Sequence, residues 1–305
     1  MAAIIVQLHS CSSRCLFCNP KGLKRKITKD IINEVERSCE AQAVDLKNRG
    51  VKSVEISGTD PIEYPKITSL IRRLKSDLGF EFVLLSTHGR NLCKLELVEE
   101  LADAGLDKLR IPLYGSNAKI HDSITQSKGS FDETLKGIEN VCEHTDMELF
   151  LTSLIMKQNY KDILNIFSLA SGYSPEVGFA IPCVHELVDF ENIAISFDKM
   201  RPHLMDLLKE SDENDDIFLR INDIPYCVFG FEDERIQMTH PPVTAKTYKI
   251  RDEFKTEDPN TPSYRVKKQI EICPDCKCNK ICDGFYKNYL DFIDPDYIRS
   301  LKPIS

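Results

Sequence analysis

The segment Cys11-Ser-Ser-Arg-Cys15-Leu-Phe-Cys18 sets three thiols within one short loop. Soft sulfur ligands select iron–sulfur clusters or zinc. Three is the informative number. A closed site takes four ligands, so three thiolates leave one metal corner for an outside molecule. Two plainer readings stand beside this one: three packed cysteines, or a zinc site completed by His9. Towards the other end, Cys273-Pro-Asp-Cys276-Lys-Cys278-Asn-Lys-Ile-Cys282 is a C-x2-C-x5-C run with one extra thiol, and Cys227 lies upstream. Four of these five thiols could hold a structural zinc, which stabilises without redox chemistry, or a [4Fe–4S] cluster, which carries electrons. Cys39, Cys93, Cys142 and Cys183 occur singly. Cys39 and Cys142 fall on helical stripes and read as small core residues.

Twelve cysteines in 305 residues are too few for a disulfide scaffold and suit metal ligation in a reducing compartment. Residues 1–8 are too short an apolar run for a signal peptide, and no stretch reaches the roughly 20 apolar residues that span a bilayer. The expected location is therefore cytoplasmic, away from membranes. A net charge of −8 argues against nucleic acid as the main partner, although Lys21, Lys24, Arg25 and Lys26 make a local basic patch.

The elements that must position these thiols follow from patterning. Short β-rich runs at 4–10, 51–57, 82–87, 108–114, 149–156 and 177–182 alternate with amphipathic stretches at 28–49, 70–78, 95–104, 132–142 and 161–169. In the first of these, Thr28 serves as N-cap, Ile31, Ile32, Val35, Cys39 and Val44 form the apolar stripe, and Gly50 is the stop. Strands alternating with helices imply crossover units, a parallel sheet and an α/β fold, here a partial (β/α)6 TIM-like barrel. Ligands then collect at the carboxyl ends of the strands. The rhythm breaks after Pro182. A helix over 197–210, with Pro202 inside it, and an acidic stretch at 211–216 form a linker. An apparent strand at 217–221 and a polar stretch containing Pro241, Pro242, Pro259 and Pro262 precede the second cysteine group. The expected organisation is a barrel over 1–190, a linker over 191–217 and a small cysteine-rich domain over 218–305.

The triplet after the first strand, with Phe17 before its third cysteine, resembles the C-x3-C-x-aromatic-C motif of the radical S-adenosylmethionine (radical SAM) superfamily. That resemblance implies a [4Fe–4S] cluster on Cys11, Cys15 and Cys18 whose open iron chelates S-adenosylmethionine, with Phe17 beside the adenine. It implies reductive cleavage of the cofactor to a 5′-deoxyadenosyl radical that takes hydrogen from a substrate. Ser57-Gly58-Thr59-Asp60-Pro61 is similar to the family's Gly-Gly-Glu-Pro segment, which contacts the cofactor's amino group; here Ser57 replaces the first glycine and Asp60 the glutamate. Ser86-Thr87-His88-Gly89 is similar to the segment that reaches the ribose. After strand four, many members bind the methionine carboxylate with a serine; Pro112 stands there, and Arg110 is the substitute that charge suggests. His121 and Asp122 read as turn braces. Ile181 would wall the adenine, or else belong to the barrel core.

The second cysteine group resembles the shortened auxiliary-cluster extension called a twitch domain, akin to the longer SPASM type, and Gly284-Phe-Tyr-Lys-Asn-Tyr-Leu fits its ending. By that match Cys227, Cys273, Cys276 and Cys282 ligate one further [4Fe–4S] cluster and Cys278 is the alternative ligand. Full ligation favours an electron role and hence a net oxidation, cross-link or cyclisation. Relatives of this type act on peptides, on nucleotides and on small carbohydrates, and an external electron donor such as flavodoxin or ferredoxin is expected. With about three residues before the first strand, a small molecule, or a peptide brought by a separate partner, is expected. Cys183, just after the sixth strand, would pack there or give hydrogen to a substrate radical. The other class open to the sequence is an iron–sulfur or zinc protein acting as electron carrier or interaction module.

Overall fold

A computed structural model describes residues 1–18, 26–184, 188–237 and 267–305. Lys21, Lys24 and Arg25 of the basic patch and Pro241, Pro242, Pro259 and Pro262 lie outside them.

Eight strands form one all-parallel sheet in chain order: β1 (Ala2–Val6), β2 (Ser53–Gly58), β3 (Phe82–Ser86), β4 (Lys108–Pro112), β5 (Glu148–Leu154), β6 (Glu176–Ala180), β7 (Phe218–Asn222) and β8 (Ile236–Gln237). Helices α1 (Lys29–Asn48), α2 (Ile67–Arg72), α3 (Leu95–Asp103), α4 (Ala118–Thr125), α5 (Ser130–His144), α6 (Ile163–Ser171), α7 (Phe190–Ile193), α8 (Phe197–Asp212) and α9 (Tyr226–Phe229) lie between them. A two-stranded antiparallel ribbon of β9 (Lys267–Lys268) and β10 (Phe285–Tyr286) follows, with α10 (Lys287–Phe292) and α11 (Pro295–Ser300).

The sheet has two more strands than the six expected. The reason is legible in β7. Its Phe-Leu-Arg-Ile-Asn buries Leu219 and Ile221 and leaves Arg220 and Asn222 on the opposite face, the alternation that β2 and β4 show. That pattern fits one more strand of a sheet covered by helices on one side only, and β7 pairs with β6 from Glu176↔Phe218 to Ala180↔Asn222. The first strand is also shorter than expected. It ends at Val6, and His9 adopts a left-handed φ of 54°, turning the chain out of the sheet into the cysteine loop.

Helix α1 starts on Thr28, whose hydroxyl accepts from the Ile31 N–H at 3.4 Å. Its buried stripe runs Val35, Cys39, Ala43 and Leu46, spaced four, four and three residues, so Val44 falls outside it and is exposed. Cys142 is exposed as well, contrary to its expected core place, and donates to Tyr173 O at 3.5 Å. Helix α8 runs unbroken through Pro202. Gln42 covers the β1 edge, accepting from Ile5 N at 2.8 Å and donating to Ile5 O at 3.2 Å. Ile4, Val6, Val54, Ile56, Leu109, Ile111, Leu151, Val177 and Ile221 form the helix-side core. The lumen side carries Glu55, Arg110, Phe150 and Arg220 instead.

Candidate active site at the carboxyl ends of the strands

The loop after β1 carries the cysteine triplet and is fastened at both ends. Arg14 N donates to Thr125 O (3.0 Å) and Leu16 N to Ile124 O (2.9 Å), pinning it to the end of α4. On the other side Arg90 donates from Nη1 to Ser12 O (3.1 Å) and Ser13 Oγ (3.2 Å), while its Nε donates to Glu133 Oε2 (2.6 Å) on α5. The Ser12 N–H donates to Glu63 Oε1 at 2.7 Å.

Beneath the loop, donor atoms of Cys11, Asp60, Glu63 and His88 lie within 4.8 Å of one another. Asp60 is 2% exposed. Its Oδ2 sits 2.5 Å from His88 Nε2 in an ion pair, and neither carboxylate oxygen has a hydrogen bond of good geometry among the described residues. Burial alone would lower the His88 pKa; hydrogen bonds with Asp60, Cys11 and Glu63 and the Asp60 charge outweigh it and push it up to about 11. Burial, then the neighbouring Cys11 and Cys18 thiols, push Cys15 up to about 12.

These features fit a cationic centre. Three sulfurs and a buried carboxylate repel one another when ionised, and a positively charged metal cluster relieves that repulsion. The unpaired Asp60 oxygen likewise suits an ammonium donor. Gly58 gives the close backbone approach. Its φ is +144°, and a Cβ there would stand 2.1 Å from Val6 O. Phe17 packs on Tyr114, ring centroids 5.1 Å apart, within a small apolar cluster that includes Ile124, Met156 and Val184.

The expected site residues divide. Cys11, Cys15, Cys18, Asp60 and His88 come together, with Gly58 and Phe17 against them. Thr59 N donates to Val6 O, Thr87 Oγ1 accepts from Gly89 N within its own turn, and Ser57 pairs with Ile5 in the sheet. Ser86 and Arg110 turn elsewhere, both donating to Glu55 Oε1 (2.7 and 2.8 Å) inside the lumen. Ile181 packs in the main core. His121 and Asp122 brace the turn: His121 Nδ1 accepts from Tyr114 N, and Asp122 accepts from Gly129 N, Ser130 Oγ and Phe131 N. Glu63, Arg90 and Glu55 were not singled out from the sequence. Their side-chain partners are 25 to 78 residues away, so local spacing carries no signal for them.

Cys227, Cys273, Cys276, Cys278 and Cys282 line one small cavity of about 20 Å³ together with Tyr226, Gln269 and Phe285. Cys273 Sγ accepts from Ile270 N (3.3 Å) and Cys276 Sγ from Ile304 N (3.4 Å). Burial and the charges of Cys282, Cys273 and Cys276 push Cys227 up to about 12, and burial, then Cys276, pushes Cys278 up to about 11. None of the twelve cysteines is in a disulfide. Among the described residues no helix is long and apolar enough to cross a membrane.

Comparison with known proteins agrees with this geometry. The chain is 35% identical over 115 residues to an AdoMet-dependent heme synthase from Methanosarcina barkeri, covering 38% of this chain and 32% of that one. It is 25% identical over 205 residues to a GTP 3′,8-cyclase from Limosilactobacillus fermentum, covering 66% and 59%. The matches thus span between about a third and three fifths of these relatives. Among solved structures, the fold is similar to anSMEcpe with bound AdoMet (TM-score 0.62, 12% identity, 99% of this chain and 92% of that one). It is also similar to Streptococcus suis SuiB bound to S-adenosylmethionine (TM-score 0.60, 17% identity, 95% and 74%). The profile of the radical SAM superfamily matches residues 5–170, more than half the chain, taking in the cysteine loop and the strands that hold it. The chain belongs to the radical SAM superfamily.

Proposed function

We propose that this protein is a radical SAM enzyme that carries out a net oxidation, cross-link or cyclisation on a small molecule or peptide. The observation that carries the reading is the convergence of three thiols and an unpaired buried carboxylate oxygen at the carboxyl ends of β1 and β2. When bound, a [4Fe–4S] cluster on Cys11, Cys15 and Cys18 supplies the electron that cleaves S-adenosylmethionine and starts hydrogen abstraction. Asp60 would accept from the cofactor's ammonium, with His88 Nε2 ion-paired to its Oδ2 at 2.5 Å. Phe17 and Tyr114 offer an aromatic face to the adenine. Gly58 lets the backbone approach. Thr59, Thr87, Ser57 and Ser86 line the neighbouring strand ends. Arg110 is paired with Glu55 inside the lumen at 2.8 Å.

Cys227, Cys273, Cys276 and Cys282 are the ligands of a second cluster, with Cys278 the fifth thiol of that cavity. Its full ligation by protein favours electron transfer over substrate binding. A reducing, cytoplasmic setting suits twelve cysteines of which none is in a disulfide, and a flavodoxin or ferredoxin is the expected reductant. A peptide substrate draws support from the likeness to SuiB, a structure of which holds its precursor peptide SuiA.

The test is anaerobic incubation of the reconstituted chain with dithionite and S-adenosylmethionine. 5′-Deoxyadenosine is expected, and is expected to vanish in Cys15→Ala. Zinc bound to the N-terminal thiols, with no deoxyadenosine formed, would sink the reading.

A further inference from the structure

Inside the lumen lies a charged layer that the cofactor chemistry does not use. Arg110 on β4, Phe150 on β5 and Arg220 on β7 share the inner face. The Arg110 and Arg220 guanidinium carbons lie 5.3 and 5.6 Å from the Phe150 ring centroid, and Lys108 Nζ lies 5.9 Å from it. Gly178 on β6 makes room for the ring, since a Cβ there would come 2.8 Å from Phe150 Cζ.

The carboxylates around this layer are too few. Glu55 Oε1 serves Arg110 and Ser86 together. Glu176 is shared by Lys108 and by Arg220, whose Nη2 stands 2.5 Å from Oε1. Glu148, 3.3 Å from Lys108, is 64% exposed, so water screens it. Three cations therefore meet two enclosed carboxylates. In addition, Nε of both arginines is buried and has no hydrogen-bond partner among the described residues. Leaving a buried donor unmade costs about 1–3 kcal/mol, so an ion-pair layer serving stability alone would have satisfied both. Yet the two side chains remain 35% and 27% exposed, so a molecule in the lumen can reach them.

We propose that Arg110 and Arg220 clamp an anionic group of the substrate, a carboxylate or a phosphate, seated over Phe150 in the lumen. Glu55 and Glu176 hold the guanidiniums in position from their far sides, and planar guanidiniums suit either anion. This deepens the proposed reaction and rests on it only in calling the bound molecule the substrate.

Two probes, inorganic pyrophosphate and glutarate, titrated calorimetrically into the full chain at constant ionic strength, test the clamp. At least one is expected to bind. Arg110→Gln and Arg220→Gln should each weaken it by roughly tenfold or more, the loss of one charged hydrogen bond, while Lys136→Gln on the outer face of α5 leaves binding unchanged. Preference for pyrophosphate assigns a phosphate source, preference for glutarate a carboxylate source. Phenylglyoxal modification of the wild-type chain, read by mass spectrometry, avoids reliance on variants that misfold: the bound probe should protect Arg110 and Arg220. Absence of binding by both probes overturns the clamp, as does equal labelling of these arginines with and without probe. So does wild-type binding by both folded arginine variants. Deoxyadenosine formation is read separately, so failure of the clamp and failure of the radical chemistry are distinguishable.

Discussion

Arg90 joins three parts of the molecule that are far apart in sequence: the cysteine loop through Ser12 and Ser13, α5 through Glu133, and the turn after β3 on which it sits. Its guanidinium is largely enclosed, so each hydrogen bond is worth more than an exposed pair. Arg90→Gln keeps a donor but loses the fork. The loop should then hold its cluster less well, and iron per chain after reconstitution is expected to drop by half or more; unchanged iron and sulfide would show that α4 alone fixes the loop. His121 gives a prediction in pH. Burial lowers its pKa to about 4 against an ordinary 6.5, and it is 2% exposed. The unfolded chain therefore binds a proton from pH 6.5 downward while the folded chain refuses it until about 4. Stability from this residue is whole above pH 6.5 and is lost as pH falls towards 4, by about 3 kcal/mol. His121→Gln should flatten that part of the profile in chemical denaturation measured at pH 7 and pH 4.5. A parallel profile for the variant would assign the acid sensitivity to other groups.

At the scale of elements, the join between β1 and β2 sets the site. Both strands deliver a functional loop from their carboxyl ends, and Gly58 lies against the Val6 backbone that leads into the cysteines. A methyl group cannot be accommodated by a side-chain shift here, because the atoms it meets are backbone carbonyl and amide. Gly58→Ala is expected to cost more than the usual 1–3 kcal/mol of overpacking and to lower the melting temperature by roughly 10 °C or more; a loss under about 2 °C would mean that the strands separate freely. Much of this element order was legible beforehand. Short β-rich runs gave β2 to β6, and Thr28 and Gly50 bounded α1, because caps and runs of β-formers are local signals. The β1 end was misjudged since Gln7–Ser10 remains β-prone while His9 turns the chain away. The seventh strand was legible in pattern but was grouped with the residues after the acidic linker, because strand pairing is a long-range fact.

For the molecule as a whole, the same division between local and distant signals separates the two cysteine groups. Cysteine spacing announced both, but which thiols face one another depends on bringing Cys227, after β7, against a segment that begins 46 residues later at Cys273. Arg90 and Glu63 escaped notice for the same reason. The five-thiol cavity yields the last prediction. If Cys227, Cys273, Cys276 and Cys282 ligate a second cluster, the reconstituted chain should hold about eight irons, and Cys282→Ser about four, since each [4Fe–4S] unit needs its full thiolate set. Cys282→Ser should still cleave S-adenosylmethionine, because the N-terminal triplet is untouched, but should lose product. Cys278→Ser separates the alternatives within the cavity. Cys278 is buried and is the one thiol of the cavity outside the expected ligand set, so this variant should keep about eight irons, with Mössbauer spectra matching the wild type. A fall to four in Cys278→Ser together with eight in Cys282→Ser would exchange the two ligands. Four irons plus one zinc in the wild type would make the cavity a structural zinc site, and would remove the electron route on which a net oxidation depends.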